Sequence, residues 1–158
     1  MGERETYAHH LRWIVAEMVG VVKELNDEQR RWRPIETGND ADTIVRHVIG
    51  GTRSYALEIG CAIPTGRDRE AEFRPADDDQ KLLERLEALR EEVEAAFARV
   101  DDASFDLPAE PLTEWRSGDP PTGTRRDVIV QSVRHAGIHL GELRLTADLA
   151  RRAAAEAG

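Results

Sequence analysis

The chain has 158 residues, of which 40% are hydrophobic and 34% charged, and a formal net charge of −9. That length can bury a core without metal or disulfide staples, and the acidity excludes a broad phosphate-binding surface, so nucleic acid is not an expected partner. The single cysteine, Cys61, excludes an internal disulfide and a thiolate metal cluster. No membrane span is expected, because no run of about 18 apolar residues occurs. A charged start, Met1-Gly2-Glu3-Arg4-Glu5, with no apolar segment behind it points to a cytoplasmic location.

One domain over residues 1–158 is expected. From Tyr7 onward, Leu11, Ile14, Met18, Val21, Val22 and Leu25 recur at helical spacing, which predicts an amphipathic helix over about 3 to 25. The segment Asn26-Asp27-Glu28-Gln29 and then Trp32-Arg33-Pro34 ends it, since proline disfavours helical geometry in the residue before it. A loop through Gly38 follows. Asn39 or Asp40 can cap a second helix, whose inner face carries Ile44, His47, Val48, Gly51, Tyr55 and Ile59. Gly50 and Gly51 cost stability in mid-helix, so a neighbour must come close there: a ligand or, more simply, a packed helix. Cys61 reads as a small buried residue at a helix end.

Residues 63–78, with Pro64, Gly66, Pro75 and the Asp77-Asp78-Asp79 run, predict a long connection. The third helix carries Leu82, Leu86, Leu89, Val93, Ala96 and Val100 inward, and its charged residues form a solvated face. A second long connection, 101–123, is broken by Pro108, Pro111, Pro120 and Pro121, with Leu112 and Trp115 as its expected anchors. Thr124 and Asp127 have capping-box spacing and start the fourth helix, along which Val128, Ser132, His135, His139, Leu143 and Thr146 form one stripe. The tail from Arg151 is expected to fray. The fold class is all-α: a four-helix bundle with long connections between helices 2 and 3 and between helices 3 and 4.

Taken alone, each histidine on these stripes reads equally as a half-buried core residue. Together they suggest more. His135 and His139, four residues apart, project from one helical face, and His47 lies on the inner face of another helix. Three neutral imidazoles can hold one divalent ion and leave a fourth position open, as catalytic zinc sites do. Glu142 can orient a ligand or pair with Arg144 or Arg46. His9 and His10 are weaker candidates. Ala136 stands where a zincin protease has its glutamate, and the repeated glutamates of a di-iron bundle are missing.

The order of Asp27-Glu28-Gln29, Trp32-Arg33-Pro34, Ile44-Val45-Arg46-His47-Val48 and His135-Ala136-Gly137-Ile138-His139-Leu140-Gly141-Glu142-Leu143 resembles the DinB-like family of helical-bundle proteins over nearly the whole chain. The resemblance implies one divalent ion, zinc or nickel, held by His47, His135 and His139. It also implies a thiol S-transferase or isomerase activity in which the metal activates a low-molecular-weight thiol such as bacillithiol, mycothiol or glutathione. The expected partners are a small-molecule substrate, that thiol, and a second copy in a homodimer. Metal-dependent hydrolysis and a non-catalytic, metal-stabilised binding module are the alternatives.

Overall fold

The computed structural model describes residues 1–73, 81–112 and 120–157. The chain is all-α as predicted: the described residues form helices, with one isolated bridge between Pro108 and Thr124. Helix α1 (Glu3–Lys23) ends two residues before the predicted Leu25. The next residues, expected only to terminate it, build a short helix of their own, α2 (Asp27–Arg31). Asn26 accepts from the Gln29 amide at 2.9 Å and Gln29 returns the bond to the Asn26 amide at 3.0 Å, a capping box that nucleates the turn.

Of the two predicted caps for α3 (Ala41–Thr52), Asp40 is the one used, its carboxylate accepting from the Thr43 amide at 2.7 Å. The helix then widens into a π-helical segment, Arg53–Gly60, and buried Cys61 closes it. The connection that follows contains another short helix, α4 (Arg69–Glu72). Helix α5 (Leu82–Phe97) stops before the predicted Val100, and a 3₁₀ turn at Asp102–Asp106 follows. Helix α6 (Arg125–Ala157) opens on the predicted box, in which Asp127 accepts from the Thr124 amide at 2.8 Å.

The tail was expected to fray, yet α6 runs through it to Ala157. Ala150 is buried there, Arg151 pairs with Glu24, and Arg152 bonds Glu156 one turn on, so packing and spacing extend the helix. Leu112 is exposed rather than an anchor. Trp115, Pro75 and the Asp77-Asp78-Asp79 run lie outside the described residues.

Side-chain pairs give the helix directions. Glu3–Arg126, Glu17–Arg144 and Glu24–Arg151 advance together, so α1 and α6 are parallel. Arg12–Glu94 and Lys23–Glu87 advance oppositely, so α5 is antiparallel to α1. Gly51 meets His135 and Gly60 meets Ile129, so α3 is antiparallel to α6. Helices α3 and α5 therefore point the same way, and the chain between them must travel back along their length. The four long helices contribute Leu11, Met18, Ile44, Val48, Leu89, Val93, Ile129 and Leu143 to one buried cluster. No helix among the described residues is long and apolar enough to cross a membrane.

Candidate metal centre

The contact between α3 and α6 brings the three predicted histidines together. One ring nitrogen from each of His47, His135 and His139 lies within 4.8 Å of the others. The ring centroids of His135 and His139 are 4.5 Å apart, and each is 4.8 Å from that of His47. The cluster is half-buried: the His47 side chain is 15% exposed and that of His139 19%, so a small molecule can reach it.

Two carboxylates back the imidazoles. His47 Nδ1 lies 3.0 Å from Glu72 Oε2, and His139 Nδ1 lies 2.6 Å from Glu142 Oε2. A ring nitrogen facing a carboxylate carries the proton, which leaves the Nε2 lone pairs of both rings turned to the cluster. His47 Nε2 and His135 Nε2 stand 3.0 Å apart. A tetrahedral ion at about 2.0 to 2.1 Å from its ligands needs nitrogens roughly 3.4 Å apart. The donor set fits a divalent ion after small side-chain movement.

His135 differs from its neighbours. Its Nδ1 is buried without a hydrogen-bond partner among the described residues, as are Thr52 Oγ1 beside Gly51 and Ser132 Oγ one turn earlier on α6. Burial first, then the charges of His139, His47 and Arg67, press its pKa down to about 4, against a smaller upward pull from Glu72. It is therefore neutral and competent as a lone-pair donor near pH 7.

Glu72 was not foreseen as part of the site. An acidic residue in a long polar connection reads as solvated, yet it is only 6% exposed. Arg67 grips it with Nε at 2.7 Å and Nη2 at 3.0 Å, while Arg46 Nε donates to its backbone oxygen at 3.0 Å. Burial pushes the Glu72 carboxyl up, but hydrogen bonds from His47 and Arg67 and the Arg67 charge outweigh it and hold the group below its usual range. The two mid-helix glycines now have a cause. A Cβ on Gly50 would stand 1.8 Å from Glu72 Oε1, and one on Gly51 would stand 2.7 Å from His135 Cε1. Side chains of the cluster, not another backbone, occupy the space.

Glu142 orients His139, whereas Arg144 goes to Glu17 and Arg46 to Glu72 and Thr43. His9 and His10 are exposed on α1 and contact each other, 5.5 Å between centroids, and neither belongs to the cluster. Burial raises the Cys61 thiol to about 12, with Arg125 opposing, so it is no nucleophile. Two aromatic rings border the histidines: Phe73 at 5.2 Å from His47 and Tyr55 at 6.2 Å from His135.

The sequence profile of the DinB superfamily matches residues 10–143, a range that includes all three histidines of the cluster. No curated protein and no solved structure matches the chain.

Proposed function

The chain belongs to the DinB superfamily, and from that premise we propose that it binds one divalent ion, zinc or nickel, through His47, His135 and His139 and transfers a low-molecular-weight thiol to an electrophile. The observation that carries the reading is the convergence of three imidazole nitrogens within 4.8 Å, two of the rings backed by carboxylates. A divalent ion held there would supply Lewis acidity, under which a coordinated thiol is deprotonated near neutral pH. The residues do the rest. Glu72 and Glu142 fix the tautomers of His47 and His139 and raise their basicity. Arg67 and Arg46 keep Glu72 in place, and Phe73 and Tyr55 limit the water around the cluster.

Hydrolysis by activated water needs a base to accept a proton. The carboxylates touching the cluster are committed, Glu72 to His47 and Arg67 and Glu142 to His139, which favours the thiol reading. In a purely structural site, chelation would lower thermal stability and no turnover would accompany it.

Elemental analysis of purified protein should find about one divalent ion per chain. The His47→Ala/His135→Ala double variant should lose it, and Glu72→Gln should bind it about 10- to 100-fold more weakly. Full occupancy in the double variant would disprove the ligand assignment. Metal-loaded protein should also conjugate a generic electrophile to a small thiol faster than the metal-free sample; equal rates with bacillithiol, mycothiol and glutathione alike would remove the transferase reading.

A further inference from the structure

Two ring-and-guanidinium stacks stand at the cluster. Arg67 Cζ lies 5.9 Å from the Tyr55 centroid, and Arg69 Cζ lies 5.5 Å from that of Phe73. The arginines are otherwise unlike. Arg67 is 10% exposed and spends two N–H groups on Glu72. Arg69 is exposed, and among the described residues it has no carboxylate partner.

The carboxylates next to Arg69 on the chain are engaged elsewhere. Asp68 accepts from the Ala71 amide, Glu72 holds His47 and Arg67, and Glu70 has its own partner. Among the described residues no carboxylate takes the Arg69 N–H groups, the fork that can grip a carboxylate with two hydrogen bonds. The ring beneath it touches the site directly, 5.2 Å from His47, so the guanidinium lies no farther from that imidazole than the two separations end to end. Phe73 is 43% exposed, an apolar surface between the cation and the histidines against which a short carbon chain can lie. Among the described residues, Arg69 is the exposed cation without an acidic partner that lies over a ring bordering the histidines.

We propose that Arg69, stacked on Phe73 beside His47, is the recognition point for a carboxylate, so that the thiol accepted at this site is one that carries a carboxylate group. The proposal rests on the metal–thiol reading above and assigns its ligand class.

The test uses the full chain loaded with cobalt(II), in which thiolate coordination is read as a charge-transfer absorption band. Mercaptoalkanoates of increasing chain length are titrated against their methyl esters, in the native chain and in Arg69→Gln. The native chain should bind the best acid about two- to fivefold more tightly than its ester, the range for a partly exposed ion pair. Arg69→Gln should erase that preference and leave ester binding unchanged. Equal affinities in the native chain, or a preference that survives Arg69→Gln, would overturn the carboxylate assignment while the metal–thiol reading stands. No band with any acid or ester would overturn both.

Discussion

At the residue scale the three histidines are not equivalent. His47 and His139 each have a carboxylate behind them, whereas half-buried His135 has a buried Nδ1 with no partner among the described residues and a pKa of about 4. The unfolded chain binds a proton at this residue near its ordinary 6.5, before the folded chain does. The contribution of neutral His135 to stability is therefore complete above pH 6.5 and is lost progressively as the pH falls toward 4. Urea unfolding of chelator-treated protein across that window should show the decline, and His135→Gln should flatten it. An unchanged slope in the variant would mean that another group titrates. The residue types themselves were legible in the sequence, because two histidines at i, i+4 and a third on a separate apolar stripe can be placed by periodicity. Glu72, Arg67 and Arg69 were not, since their positions depend on the path of a connection, and periodicity says nothing about paths.

At the element scale the α3–α6 contact is shaped around the site. Gly51 leaves the room that the His135 ring fills, and Gly50 leaves the room for Glu72. Gly51→Ala should gain about 1 kcal/mol in helix propensity but lose roughly 1 to 3 kcal/mol to the displaced ring, while weakening metal binding at least tenfold. Gly20→Ala in α1, where an added Cβ meets nothing within 4 Å, is the control and should only stabilise. Equal metal affinity in the two variants would refute the spacing argument. The glycine pair announced a close approach in the sequence, with a packed helix as the simpler expectation and a ligand as the alternative. Local sequence could not name the side chains that fill the space, because Glu72 and His135 come from distant segments. The long helices and the Thr124–Asp127 cap were readable for the opposite reason: their signals are local. Helices α2 and α4 escaped because each is too short to show a repeating stripe. Arg53–Gly60 was readable as a continuation of the second helix through Tyr55 and Ile59, and only its π-helical widening was not.

At the scale of the whole molecule, three distant segments are joined at one end. The Asp102 carboxylate accepts from the Glu3 and Arg4 amides at 2.9 and 3.1 Å, capping α1 from the 3₁₀ turn, and Arg126 at the start of α6 pairs with Glu3 and Asp106. Asp102→Ala should cost about 1 to 2 kcal/mol, read from chemical denaturation, with metal content unchanged because the cluster lies on other elements. A loss of metal in that variant would show that the two ends are coupled. The parallel course of α3 and α5 has a different consequence. It obliges the chain to cross the molecule between Gly60 and Leu82, and that crossing carries Arg67, Arg69, Glu72 and Phe73 past the histidines. Closing a longer loop costs only slightly more entropy, about 0.6 kcal/mol for each doubling. The crossing can therefore gain or lose residues upstream of Arg67 while the core helices keep their register. Histidines sit where packing permits little change, and the residues at the mouth sit where the chain is cheap to rewrite, so selectivity can evolve on this scaffold without disturbing the ion-binding helices.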